Sequence, residues 1–226
     1  MRLREVLRKA GPKLDRIRRY WRRQVLRQPS PVDNWFADNG DLTLRLSYPL
    51  NRDSIVIDVG GFRGLWTQQI FERYQCTIHV FEPVLEYRAH LRKRFDGYPR
   101  IVVHPHGLSN HTAQARIALR GDASSVLIED DRNVEAIELR DVAEALEPMR
   151  NSGIDLIKIN IEGGEYDLLS RMIETGLTDV CQDIQIQFHS WVDGAVRRRT
   201  EIQHSLSRSH RMTYEYPFVW ENWRRL

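Results

Sequence analysis

The stretch Ser54-Ile55-Val56-Ile57-Asp58-Val59-Gly60-Gly61-Phe62-Arg63-Gly64 is an apolar run closed by three glycines, and Leu65–Tyr74 behind it can form a helix. Strand, glycine turn and helix in that order are the opening of an α/β unit. Glycines there let the backbone turn tightly and let a ligand approach the main chain. Thr77–Glu82 reads as the second strand, and Glu82 stands 24 residues after Asp58. A carboxylate at the end of that strand can accept hydrogen bonds from both hydroxyls of a ribose.

Outward from this unit the same rhythm continues. A helix is expected over Leu85–Phe95 and a strand over Ile101–His104. Further strands are expected near Ala115–Leu119 and Val134–Leu139, and over Ile154–Glu162. Tyr166–Thr175 reads as a helix stopped by Gly176, followed by a strand over Ile184–His189 and a helix over Val196–Ser207. Alternating strands and helices imply an α/β fold, a mostly parallel sheet with helices on both faces. Upstream, Leu42, Leu44 and Leu46 alternate with polar residues and suggest a short strand or lead-in, and Gln28-Pro29-Ser30-Pro31 reads as a linker.

The chain has 226 residues, 41% hydrophobic and 29% charged, which fits one globular domain with a sizeable core. It contains no run of about 18 apolar residues, and its N-terminus lacks the apolar core of a signal peptide, so a cytoplasmic location is expected. Cys76 and Cys181 form no CxxC pair, so neither a disulfide framework nor a structural zinc site is expected. The net charge of +3 is unevenly spread. Residues 1–28 carry +9 and residues 29–226 carry −6. In the arm, Leu3, Leu7, Ala10, Leu14, Ile17 and Trp21 line one helical face, which Gly11-Pro12 should interrupt. Such a basic amphipathic arm either lies on an anionic membrane, giving peripheral membrane contact, or packs on the domain with its arginines in water. The domain behind it is acidic, and no nucleic-acid partner is expected.

The ligand of the glycine turn follows from charge. The turn lacks the GxGxxG spacing of a dinucleotide site, and Asp58 would meet a pyrophosphate as a like charge. S-adenosylmethionine carries an ammonium and a sulfonium, which the same carboxylate attracts.

The turn DVGGFRG (residues 58–64) and the strand end VFEP (residues 80–83) resemble a class I methyltransferase dependent on S-adenosylmethionine. The segment DLIKINIEGGEYDLL (residues 155–169) is similar to the signature of the FkbM methyltransferase family, as are GLSN (residues 107–110) and DASS (residues 122–125). The resemblance runs from about Ser54 to Asn222. It implies a Rossmann-like class I methyltransferase fold and a cofactor set of Asp58, Gly60, Gly61, Gly64, Glu82, Pro83, Ser109 and Ser125. Ser124 and Ser125 read equally well as turn residues. Asn160 stands where many members have Asp. The implied acceptors are hydroxyls of sugars, glycans, glycolipids or related secondary products.

The reacting groups are read from two strands. Lys158, Asn160 and Glu162 alternate with isoleucines, as Gln185, Gln187 and His189 alternate with Ile184, Ile186 and Phe188. A strand buried in a parallel sheet should be apolar on both faces, so these polar faces are expected to merge near the C-terminal strand ends. His189 is the first choice for the general base, with an ordinary pKa near 6.5 that suits neutral pH. Glu162 is the second choice, as base or as the group that orients His189. Lys158 either holds Glu162 ionised or is a buried counter-ion, and Asn160 completes the catalytic set. Glu165 fits an early-helix acid favoured by the dipole. No ligand spacing demands a metal, and none is expected. Trp220 and Trp223 either stack on a sugar or seal a sheet edge, and His104 and His106 read as surface or core histidines. Two other classes remain open. One is an NAD-linked oxidoreductase, and the other a non-catalytic module that recruits glycan or membrane.

Overall fold

The computed structural model describes residues 29–118 and 134–226. The basic arm, Leu119, Ser124 and Ser125 lie outside them. Ser30 caps a helix α1 (Pro31–Ala37): its hydroxyl accepts from Asp33 N while the Asp33 carboxylate accepts from Ser30 N. Ser30 and Pro31, the end of the expected linker, are therefore a helix start, with proline at the first helical position, where its missing N–H costs nothing. Residues 38–46 form successive turns rather than a strand. Gly40 lies against the Trp35 indole there, and a Cβ at that position would fall 2.4 Å from the ring.

The core of the fold begins with β1 (Ile55–Val59), α2 (Leu65–Tyr74), β2 (Thr77–Phe81), α3 (Leu85–Arg94) and β3 (Ile101–His104). Three shorter strands follow, β4 (Gly107–Ser109), β5 (Ala113–Ala118) and β6 (Val134–Asp141), and then α4 (Val142–Leu146). The second half contains β7 (Ile154–Ile159), α5 (Glu165–Glu174), β8 (Cys181–Ile186), α6 (Ala195–Leu206), β9 (His210–Tyr216) and β10 (Trp220–Arg225). Seven strands make one sheet in the order β3-β2-β1-β7-β8-β10-β9. The first five run parallel, and β10 is antiparallel to both of its neighbours. From β1 the chain builds outward through β2 to β3 and then returns to the other side of β1 as β7. The order thus reverses between β1 and β7, the switch point at which open α/β sheets bind ligands.

Each face of the sheet is covered. On one, Ile57, Val59, Ile157 and Ile184 pack against Tyr166, Leu169 and Met172 of α5 and Ile202 and Leu206 of α6. On the other, Val56, Ile78, Val80 and Leu156 pack against Trp66 and Ile70 of α2, Leu91 of α3, and Leu46 and Tyr48. A small sheet of order β4-β6-β5 lies apart, and its Ile117 and Ile137 pack on Phe62, Val84 and Tyr87.

Two strand expectations change. The strands expected to reach Glu162 and His189 stop at Ile159 and Ile186, so the polar residues beyond them stand in turns. The segment carrying Trp220 and Trp223 is an inner strand with both indoles buried, which removes them as a sugar-stacking surface.

Candidate active site

Beneath the glycine turn, Asp58 and Lys158 face one another in register on β1 and β7. Lys158 Nζ donates to Asp58 Oδ1 at 2.8 Å and to the Gly60 carbonyl at 2.8 Å, and Thr67 Oγ1 donates to Asp58 Oδ2. Both carboxylate oxygens are taken, the residue is 1% exposed, and its charge is matched by the ammonium. The turn above is closely packed. A Cβ on Gly60, whose φ is +87°, would fall 2.1 Å from the Asn160 carbonyl oxygen. On Gly61 it would fall 2.2 Å from a Val80 methyl, and on Gly64 2.7 Å from Leu91.

A cavity of about 210 Å³ opens at the switch point. Gly60, Phe62 and Glu82 line it together with the apolar Pro83, Val84, Tyr87 and Ile117 and with Asn160, Ile161 and Glu162. Glu82 straddles two loops: Oε2 accepts from Phe62 N at 2.8 Å and Oε1 from Val84 N at 2.9 Å. Burial pushes its carboxyl up to about 7, against the pull of those two amides and of Lys158. A carboxylate offers about four acceptor positions, so the two backbone donors leave room for a diol. Asn160 lines the cavity beside Gly60, and its Oδ1 is buried with no hydrogen-bond partner among the described residues. An apolar slot, a diol acceptor and an orphaned side-chain carbonyl oxygen next to the glycine turn fit a nucleoside that carries an ammonium-bearing tail.

On the far side the loops after β7 and β8 meet. His189 Nε2 lies 3.3 Å from Glu162 Oε2, and Nδ1 lies 3.1 Å from Glu165 Oε1. Glu165 is fully buried and also accepts from His189 N and Gly163 N, both at 2.8 Å. Burial alone would lower the imidazole pKa, but hydrogen bonds and charge from the two carboxylates overcome it and raise His189 to about 9. His189 is then an imidazolium at neutral pH with a carboxylate at each ring nitrogen. Glu162 itself sits at φ +50°, a left-handed conformation that side-chain-bearing residues adopt sparingly.

A model of the Methyltransferase FkbM domain matches residues 58–216. The chain belongs to the FkbM methyltransferase family. None of the curated proteins matches it. Among solved structures, a putative rRNA-methylase from Clostridium thermocellum superposes with TM-score 0.53 at 8% identity, covering 83% of this chain and 94% of that one. An rRNA methylase from Streptococcus thermophilus gives TM-score 0.49 at 14% identity, with coverage of 88% and 98%. A putative methyltransferase from Streptococcus mutans, in complex with SAH, gives 0.47 at 8% identity, with coverage of 84% and 97%. The first of these shares the Rossmann-like methyltransferase fold.

In this FkbM methyltransferase the expected site residues fall in different places. Gly60, Glu82, Pro83, Asn160 and Glu162 line the cavity, and His189 joins them through Glu162. Asp58 and Lys158 lie beneath, paired with each other, so the negative charge read as attracting the ligand is neutralised inside the fold. Gly61 and Gly64 serve the packing of the turn on β2 and α3. Ser109 ends β4, where its hydroxyl donates to Asn110, and Ser125 lies outside the described residues. Lys158 does not hold Glu162. His189 is not the neutral base expected, because both ring nitrogens face carboxylates and its pKa is raised.

The polar strand faces do meet, though not at the mouth. Asp58, Lys158, Gln185, Asn222 and Tyr214 follow one another in register across β1, β7, β8, β10 and β9. This row is buried under Arg45, Tyr48 and Trp66. Sequence reasoning gave Glu165 only a helix-dipole role, although its spacing from Glu162 across two glycines was a usable signal. Phe62, Tyr87 and Ile117 were missed, since apolar pocket walls look like core. Among the described residues, no group of three or more His, Cys, Asp or Glu side chains is arranged to hold a metal, and no helix is long and apolar enough to cross a membrane.

Proposed function

We propose that this FkbM methyltransferase moves a methyl group from S-adenosylmethionine to a hydroxyl oxygen of a sugar, glycan or related secondary product, with Glu162 as the general base. The observation that carries this reading is the Glu162 carboxylate, displayed on the cavity wall and held by the His189 imidazolium. When bound, S-adenosylmethionine supplies an electrophilic methyl carbon on a sulfonium. Glu82 is suited to the ribose hydroxyls, the Pro83–Tyr87 slot to the adenine, and Asn160 Oδ1 to the ammonium.

Glu162 receives the hydroxyl proton as the acceptor oxygen attacks, and a base so placed contributes about a hundred- to ten-thousand-fold. His189 fixes the carboxylate rotamer and offers a counter-charge, while Glu165 fixes the ring from behind. Residues 29–226 carry −6, which disfavours a polyanionic acceptor such as nucleic acid. The +9 arm of residues 1–28 complements this by bringing the domain to an anionic membrane carrying a glycolipid acceptor. Deleting residues 1–28 is expected to abolish co-sedimentation with anionic liposomes.

The test of the site is calorimetric titration with S-adenosylhomocysteine followed by methyl transfer to a sugar and glycolipid panel. Glu162→Gln is expected to bind S-adenosylhomocysteine as the unmodified chain does and to lose most turnover. Unchanged turnover removes Glu162 as the base. Absence of S-adenosylhomocysteine binding by the folded chain defeats the methyltransferase assignment of the cavity.

A further inference from the structure

The loop from β8 to α6 carries one residue that the core, the pairing network and the cavity leave aside. Trp191 is 47% exposed, whereas Trp35, Trp66, Trp220 and Trp223 are all buried. Its indole lies 6.0 Å from the His189 ring, centre to centre, at an interplanar angle of 54°. His189 in turn reaches Glu162 on the cavity wall. An exposed indole is ordinary on a surface, but this one lies beside the His189 ring, one residue removed from the cavity-lining Glu162.

The chain around it is pinned. His189 N donates to Glu165, the His189 carbonyl accepts from the Tyr166 hydroxyl at 2.9 Å, and Ala195 N closes onto the Val192 carbonyl at 3.0 Å. Phe188 and Val192 bury their side chains on either side of the loop. Ser190 and Trp191 are exposed between Phe188 and Val192, on a backbone that binding has little need to order. A preformed aromatic face loses little conformational entropy when a ligand covers it.

We infer that Trp191 is the acceptor platform of this site, taking the apolar face of a pyranose ring and turning a ring hydroxyl toward Glu162. The inference rests on the sugar-acceptor reading above and assigns it a residue. An indole offers a broad apolar face and an N–H handle, which matches the C–H face and hydroxyl rim of a hexopyranoside. Trp191 is then a specificity residue rather than a catalytic one. Its removal weakens acceptor binding and leaves the cofactor side intact.

The test uses the full chain saturated with S-adenosylhomocysteine. The probes are the methyl glycosides of α-D-glucose, α-D-mannose and α-L-rhamnose, read by saturation-transfer NMR. At least one glycoside is expected to receive saturation on one ring face. Trp191→Ala is expected to weaken that glycoside roughly tenfold, which corresponds to about 1.4 kcal/mol. Trp191→Phe is expected to restore most of the affinity, and both variants to bind S-adenosylhomocysteine as the unmodified chain does. Equal glycoside affinity in Trp191→Ala overturns the platform and leaves the sugar reading standing. No glycoside contact in the unmodified, S-adenosylhomocysteine-bound chain overturns both. Loss of S-adenosylhomocysteine binding in Trp191→Ala and Trp191→Phe alike also overturns the platform, because the residue would then support the cofactor side.

Discussion

Lys158 and Asp58 occupy facing positions on neighbouring strands, and the lysine ammonium that meets the carboxylate at 2.8 Å also holds the Gly60 carbonyl at 2.8 Å. One buried cation therefore neutralises the strand-end acid and anchors the first glycine of the cofactor turn. Breaking a buried pair leaves an uncompensated charge and costs about 3–5 kcal/mol, whereas replacing both partners is far milder. Lys158→Met is expected to lower unfolding stability by that amount in urea, and Asp58→Asn combined with Lys158→Met to recover most of it. If the double variant is no more stable than the single one, the pair is not the reason for the loss.

That pair also marks where the sequence could be read and where it could not. The alternation of polar and apolar residues in β7 and β8 is visible in the chain, and so is the anomaly of polar residues in parallel strands. Their destination is not. Lys158 and Gln185 lie within the strands and join a row from Asp58 to Tyr214 that the fold buries. Asn160, Glu162 and His189 lie past the strand ends and reach the mouth. Separating the two sets needs strand termini to within a residue or two, finer than periodicity gives. The β9–β10 hairpin was illegible because Glu221 and Asn222 look like surface residues. They are buried because Arg199 and Asp183 satisfy them. The glycine turn and Glu82 were legible, since they are local.

Glu82 makes cofactor affinity depend on pH. Burial raises its carboxyl to about 7, and ribose hydroxyls donate best to the ionised form. Binding pulls the proton off, so affinity for S-adenosylhomocysteine is expected to be flat above pH 8 and to weaken as pH falls through 7. Glu82→Gln is expected to bind about ten- to a hundredfold more weakly, the worth of hydrogen bonds to a charged group, and to lose that pH dependence. Calorimetry between pH 6 and 8.5 checks both. A Glu82→Gln profile with the same slope would assign the proton to another group.

Acid stability is set on the other side of β2. His79 Nδ1 lies 3.0 Å from His104 Nε2, and His104 stacks on Phe81 with His106 beside it. Burial lowers all three pKa values, and for His104 the neighbouring imidazoles and Arg140 add to it, bringing it to about 4. A histidine with a depressed folded pKa contributes stability that is present above its unfolded value near 6.5 and is lost as pH falls. Unfolding stability is therefore expected to decline from about pH 6.5 toward pH 4. His104→Phe, which keeps the stacking and removes the titrating group, is expected to flatten that decline in thermal melts. An unchanged acid limb would place the proton uptake elsewhere.

The clamp on His189 predicts the opposite flank. Its folded pKa is raised, so its contribution to stability is fully present below the unfolded value near 6.5 and is lost as pH rises through about 9. If the imidazolium also holds Glu162 in place, turnover falls over the same alkaline range. Glu165→Gln removes one of the two carboxylates that oppose the burial cost. The His189 pKa, followed by NMR titration of its ring carbon, is expected to move from about 9 toward the ordinary 6.5, and the alkaline limb of kcat to move with it. A packing role for Glu165 alone would lower stability without shifting either midpoint. A limb that stays while the NMR midpoint moves would separate the imidazolium from catalysis and leave Glu162 acting without it.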